Sequence, residues 1–598
     1  MKNLTFFHNF VENVRVGQRE GPPQNILAPK YEAREKMKKL RNDVWKVYSH
    51  RASTEALEQL CRCLLFSSST LIDLEEEEKG YQEVLRAYRV MRWCVAGELP
   101  SAAEVRTAQP VAEEEVFDPV VASQCRPTAA TGFAGCLAYM MTLTTVALYL
   151  AKRSVMKARE LLDRAESFYD EWDEWWMGTP DGCLGTDIPK DEEGRWIEEL
   201  VAPSRVASVL RRLDMDNQHG FTLFCLAQTH TNLGNADASA RYCQRSLYYT
   251  FVRKQNLSKQ EWADNALSLS NYYCNTHAYD KAYHCLLAGQ KVMPVGSEPR
   301  VNAGMTAWFF GLYYLRRLKH YGAVLTGAES AVAAQPPDPA WRNLADLPEL
   351  EEQPPVKTYA EARECFKTGM AWLREALACR PFELFCTEHI SITKDMVHLY
   401  AALQTFEPDR ARRIAMVQRQ TQLLEEFPGK LNSRAYLIVV RELLLDLGTL
   451  YGEQVLMRRQ QRQHRRPGEK PLADEFINAL VRRELDYYKQ FCETWRHPKT
   501  GVLPDVLEEE SRAVFLRVLL RQAQGSLHYL RSSPKEEYDD IGQAYQGFRR
   551  VVDFVKLNPL PSEDSFASDE AMRIGLRMME VLPKKQHELL TAYASRSA

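Results

Sequence analysis

Residues 263–294 read ADNALSLSNYYCNTHAYDKAYHCLLAGQKVMP. Counted from Ala263 as position 1, Leu269 falls at 7, Ser270 at 8, Tyr273 at 11 and Tyr279 at 17. Ala282 follows at 20, Leu286 at 24, Gly289 at 27 and Pro294 at 32. A large residue at 7, small ones at 8, 20 and 27 and a proline at 32 mark a tetratricopeptide-like helix pair. The reason is steric. Two antiparallel helices approach closely only where one lacks bulk, so small residues on one helix face large ones on the other.

The frame recurs upstream. From Gly220 it places Leu226, Ala227, His230, Ser239, Cys243 and Ser246 at 7, 8, 11, 20, 24 and 27. From Tyr139 it is untidy at 7, where Thr145 falls, but gives Val146, Tyr149, Ala158, Leu162 and Ala165 at 8, 11, 20, 24 and 27. A weaker match puts Leu71, Gly80, Val84 and Ala87 at 11, 20, 24 and 27. The frames at Gly220 and Ala263 begin 43 residues apart, more than the roughly 34 of the standard repeat, so these helices or their links are longer.

Helical periodicity covers most of the remaining chain, and β alternation is scarce. Pro-, Gly-, Asp- and Ser-rich breaks fall at 21–23, 99–131, 177–203, 335–355, 457–471 and 558–568. The expected fold is an all-α superhelical solenoid of tetratricopeptide-like helix pairs. Residues 1–330 form its N-terminal half, 331–357 a Pro-rich linker, and 358–598 its C-terminal half.

Composition narrows the function. The 598 residues are 45% hydrophobic and 26% charged, with 77 Lys and Arg against 80 Asp and Glu. That balance supplies no global attraction to nucleic acid or anionic lipid. Fourteen irregularly spaced cysteines in so long a chain read as free, buried thiols of a reducing cytoplasm. The N-terminus, MKNLTFFHNFVENV, breaks the apolar run that a secretory signal needs. Residues 127–151 carry no charge, long enough to span a bilayer, but five threonines and two glycines dilute them. They read as the buried helix of an array, not a membrane span.

Cys274, His277, His284 and Cys285 lie within twelve positions. In the repeat frame the first two end one helix and its turn, and the other two are neighbours on the next. Adjacent helical residues diverge by about 100°, whereas zinc needs four convergent ligands, so no metal site is expected from this quartet. Cys61-Arg62-Cys63 reads as helix packing. No phosphate loop, dinucleotide fingerprint, HExxH or nucleophile elbow is present, and the expectation is a non-enzyme with no cofactor and no small-molecule substrate. The Arg-rich stretch 457–470 has no aromatic residue for base stacking and reads as a solvated helix end, so no nucleic acid is expected. EWDEWWMG at 171–178 is core in preference to interface. Acidic runs at 75–78, 113–115, 192–193, 198–199, 351–352 and 508–510 together suit a basic partner.

In such a repeat, positions 2, 5, 9, 12 and 13 of the first helix line the concave surface. Here these are Phe221, Phe224, Gln228, Thr231 and Asn232, then Asp264, Leu267, Asn271, Cys274 and Asn275. None is Lys or Arg, which disfavours capture of a free carboxylate terminus. The aromatic and amide character suits a folded partner's helix. The candidate partner-binding residues are Phe221, Phe224, Gln228, Thr231, Asn232, Asp264, Leu267, Asn271 and Asn275, with the loops 177–203 and 294–302 as secondary contacts.

A set of stretches, several of them outside any repeat consensus, carries a further resemblance. They are FCLAQTHTNLGNADASARYCQRSL (224–247), EWADNALSLSNYYCNTHAYDKAYHCLLAG (261–289), TEHISITKDMVHLYAALQTFEPDRARRIAMVQRQTQLLE (387–425), LNSRAYLIVVRELLLDLGTLY (431–451), YYKQFCETW (487–495), GFRRVVDFVKLNP (547–559) and MMEVLPKK (578–585). In these, and in their order, the chain resembles the KIF-binding protein family over most of its length. It departs from that pattern at 335–355 and 457–470. The resemblance implies a non-catalytic regulator, cytoplasmic and cytoskeleton-associated, that binds kinesin motor domains and blocks their microtubule attachment. The repeat pattern alone supports the alternative of a generic scaffold that assembles other complexes.

Overall fold

A computed structural model describes the chain except residues 1, 18–26, 129–131, 180–202, 253–257, 295–298, 331–340, 465–471, 498–499, 561–564 and 598. The described elements are helices, with no strand among them. Two compact units divide the chain. The first holds Met1–Tyr272, Leu287–Met293 and Pro336–Glu351; the second holds Tyr273–Leu286, Pro294–Gln335 and Glu352–Ala598. This division does not fall at 331–357, because the helix after residue 298 packs with those that follow it.

In the first unit α1 (Lys2–Gly17), α2 (Ala28–His50), α3 (Thr54–Asp73) and α4 (Glu77–Ala96) each pack on the next. Three short helices follow, α5 (Ala102–Arg106), α6 (Glu113–Val116) and α7 (Pro119–Gln124). Val105, Val116 and Val121 of these helices and Val111 between them are buried in the core, so the expected break is packed chain over its described part, 99–128. Then α8 (Gly132–Ala151) pairs with α9 (Val155–Met177), and α10 (Pro203–Asn232) pairs with α11 (Ala236–Val252). The frames from Tyr139 and Gly220 are these two hairpins. α11 runs 17 residues and is followed by a link before α12 (Lys259–Asn275) and α13 (Tyr279–Val292), which accounts for the wide spacing of the frames.

Small residues sit where the frame demands. A Cβ on Gly80 would collide with the Tyr149 hydroxyl and lie 3.0 Å from its Cζ. That hydroxyl donates to the Ser68 carbonyl at 2.7 Å. A Cβ on Gly289 would lie 2.9 Å from Leu267 Cδ2. Ala158 and Ala165 are fully buried, and the Ser246 hydroxyl donates to the Gly220 carbonyl at 3.0 Å.

The uncharged stretch forms α8, long and apolar enough to cross a membrane, yet 72% of it is buried inside the fold, packed on α3, α4, α9 and α10. Its threonines are satisfied there: Thr142 Oγ1 donates to Ala138 O at 2.7 Å, and Thr144 Oγ1 lies 3.0 Å from Thr222 Oγ1. The tryptophans of EWDEWWMG are core as read, with Trp172 and Trp176 buried and stacked at 5.4 Å.

In the second unit α14 (Pro299–Leu325), α15 (Tyr359–Cys379), α16 (Cys386–Phe406), α17 (Arg410–Leu424) and α18 (Leu437–Gln463) stack in sequence. α19 (Asp474–Glu493), α20 (Glu509–Gly525), α21 (Pro534–Leu557) and α22 (Ser565–Ser597) continue the stack. Gly448 admits the Tyr488 ring: a Cβ there would meet Cε1 at 2.5 Å. The expected Pro-rich linker is corrected in its described part, which is packed chain. Leu344 and Ala345 are buried and the 346 carbonyl accepts from Lys291 at 3.2 Å. Further on, Gln353 accepts from the Tyr313 hydroxyl at 3.0 Å and Pro354 O from Arg317 at 2.7 Å. The Arg-rich stretch begins as the end of α18, as read. Arg458 lies over the Phe476 ring and Arg462 pairs with Asp474; residues 465–470 lie outside the described part.

Candidate protein-interaction face

α10 is anchored on one side and open on the other. On the anchored side Leu223 and Leu226 are fully buried and Cys225 nearly so. His219, also fully buried, stacks on Tyr169 at 3.7 Å, and burial with the nearby Arg245 and Arg212 holds its ring well below the usual imidazole range. Buried Asp216 accepts from Arg212 Nε at 3.1 Å and from the Tyr169 hydroxyl. Arg212 also pairs with Asp173 and lies over the Trp172 ring. This network fixes the rotation of α10 on α9. An ion pair so buried persists because its hydrogen bonds are satisfied.

The rotation decides what faces outward. Residues 221, 224, 228 and 231 recur at helical spacing, so they share one face, and Phe221, Phe224, Gln228, Thr231 and Asn232 are all exposed. Phe221 and Phe224 are each 44% exposed, with rings stacked 6.5 Å apart at 16°. The face thus leaves large apolar side chains open beside uncharged amides. Thr231 is partly used within the protein: its hydroxyl lies 3.0 Å from the Ala227 carbonyl and 2.8 Å from Ser239 Oγ.

α12 follows the expectation less closely. Asp264 is half-buried and accepts from Gln260 at 3.1 Å. Asn271 is half-buried and already engaged within the protein. Leu267 requires a correction: it is 0% exposed, because the missing side chain of Gly289 draws it inward, so it belongs to the core. Asn275, exposed, ends α12 and falls in the second unit. Of the nominated loops, residues 180–202 and 295–298 lie outside the described part.

Two other expectations change at the level of partners. Five carboxylates of the acidic runs 75–78 and 113–115 are matched internally. Glu76 pairs with Arg34 at 3.1 Å and Lys79 at 2.7 Å, Glu77 with Lys152, and Glu78 with Arg153 at 2.8 Å. Glu113 pairs with Lys157 at 2.7 Å and Glu115 with Arg92 at 2.9 Å. These runs tie the first unit together and are not an unspent acidic surface; Glu508–Glu510 stand exposed at the start of α20. In the opening quartet Cys274 and Cys285 are buried, and burial pushes the Cys274 thiol up to about 12 and His284 down to about 4. His277 lies instead with His320 and Glu329, a neighbourhood that periodicity does not reveal.

Similarity to known proteins agrees with this architecture. Residues 330–589 match the family described as KIF-1 binding protein C terminal. The KIF-binding protein of Danio rerio is 23% identical over 496 residues, spanning 75% of each chain. That of Homo sapiens is 22% identical over 499 residues, spanning 75% of this chain and 76% of its own. A solved structure described as a cryo-EM map of KIFBP matches the fold with a TM-score of 0.52 at 15% identity, covering 98% of this chain and 99% of its own. The chain is thus similar to KIF-binding proteins over most of its length, with their C-terminal pattern at 330–589.

Proposed function

We propose that the chain binds kinesin motor domains through the open face of α10 and restrains their attachment to microtubules, as a non-catalytic regulator at the cytoskeleton. The observation that carries the reading is the stacked, exposed Phe221–Phe224 pair continued by Gln228 and Asn232 on one helical face. Aromatic anchors ringed by uncharged polar groups are what a folded partner's helix docks against. The relatives' name, KIF-binding protein, supplies the partner class. Attraction by a broad acidic surface is not part of the proposal, since most carboxylates of the runs 75–78 and 113–115 are already paired.

The test uses the full chain, a panel of purified kinesin motor domains and microtubules. Motors that bind should shift from the microtubule pellet to the supernatant as the chain is added. Phe221→Ala with Phe224→Ala should weaken motor binding by about 2 kcal/mol, roughly 30-fold, with thermal stability little changed. Binding that persists without loss of co-sedimentation would leave a kinesin adaptor and remove the restraint. No binding by any motor would leave the scaffold alternative.

A further inference from the structure

The turn between α12 and α13 carries His277 with φ of 61°, a left-handed conformation uncommon for a residue other than Gly or Asn. It brings the His277 ring against His320 of α14, stacked at a centroid distance of 3.7 Å and 14°. Glu329, just past the end of α14, completes the group: one ligand atom from each of the three lies within 4.8 Å of the others. All three belong to the second unit. His320 is the unusual member. It is 6% exposed, and neither of its ring nitrogens has a hydrogen-bond partner. A buried polar group left without a partner costs about 1–3 kcal/mol, so a ring with two such atoms beside another imidazole and a carboxylate calls for an explanation.

The surroundings favour a ligand. His277 is oriented from behind. His277 Nδ1 lies 3.2 Å from the Tyr279 hydroxyl, and a proton on that nitrogen leaves the Nε2 lone pair free for a ligand. An outer hydrogen bond that fixes the tautomer is the usual support of a metal-binding histidine.

We propose that His277, His320 and Glu329 bind a divalent transition-metal ion of the zinc class, clamping the α12–α13 turn to the end of α14. Two imidazoles and one carboxylate suit zinc and its neighbours over calcium or magnesium, and three protein ligands leave a fourth position for water. Lone pairs lie in the ring planes, so binding draws the half-buried His277 ring out of the stack while the buried His320 stays fixed. The site is separate from the α10 face and stands whether or not the chain binds kinesins.

Cobalt(II) titration of the chelator-treated full chain tests this, with zinc as competitor. The expected result is one equivalent with visible d–d bands of a tetrahedral nitrogen–oxygen site, without near-ultraviolet thiolate charge transfer, displaced by zinc. Zinc should also raise the melting temperature of the native protein. His277→Asn keeps a residue that accepts the left-handed turn, and His320→Phe keeps the ring stack, so both should fold. Each should weaken cobalt binding at least tenfold. Equal uptake by the wild type and both variants, no uptake by the wild type, or a thiolate charge-transfer band in the bound state would overturn the proposal.

Discussion

Gly80→Ala separates tertiary packing from helix propensity, because the two predict opposite signs. Gly80 lies inside α4, where alanine should stabilise a helix by about 1 kcal/mol. Its Cβ, however, would fall on the Tyr149 hydroxyl and 3.0 Å from Cζ. The ring must move, at a typical overpacking cost of about 1–3 kcal/mol. The buried hydroxyl then loses its bond to Ser68 O (2.7 Å), about 1–3 kcal/mol more. The net expectation is a loss of about 1–5 kcal/mol. Urea unfolding followed by the buried tryptophans of α9 reads it, because they share the core of that unit. Tyr149→Phe in the same background removes the obstructing oxygen, so the double variant should lose less than the two single changes combined, by at least about 1 kcal/mol. Stabilisation by Gly80→Ala would refute the close approach of α4 to α8 and the reading of position 20 that led to it.

Leu267→Ala should destabilise by about 2–5 kcal/mol as a core truncation, whereas Gln228→Glu on the open face should stay within about 0.5 kcal/mol; urea midpoints of the two variants distinguish core from surface. His284, held near 4 by burial, binds its proton more weakly folded than unfolded. Its contribution is therefore intact above the ordinary imidazole range near 6.5 and is lost as pH falls from there toward 4. His284→Gln should flatten the stability–pH slope in that window by up to about 1.4 kcal/mol per pH unit, and an unchanged slope would place the proton elsewhere.

What the sequence made legible is what local geometry enforces. Ala158, Ala165, Gly80 and Gly289 sit at close approaches because a helix pair cannot form otherwise, and a 34-residue frame reports that directly. The charge-free α8 was readable for a similar reason, since a helix covered on all sides loses its polar stripe. The rest depends on partners far along the chain. Helices as short as α5, α6 and α7 complete too few turns to show a period. The segment at 341–356 looked like a linker because Pro and Glu dominate it, but Leu344, Ala345 and Val356 are buried. Glu76, Glu77 and Glu78 read as a free acidic surface only while Arg34, Lys152 and Arg153 are out of sight.

Leu267 shows where a repeat frame stops being a map of function. Its position predicts an open inner surface, yet whether a side chain there faces a partner or the next helix depends on the residue opposite. At Gly289 nothing blocks the inward course, and Leu267 takes it. On α10 the outcome is reversed. The Asp216–Arg212–Asp173 network and the His219–Tyr169 stack fix the helix's rotation, and Phe221 and Phe224 stay exposed. The open face is therefore set by the buried polar network behind it. Asp216→Asn should reduce partner binding without touching the face, in parallel with a loss of about 1–3 kcal/mol of stability as Arg212, still paired with Asp173, loses its second carboxylate. Tighter motor binding in that variant would mean that the face is selected from a mobile helix and not held by its anchor.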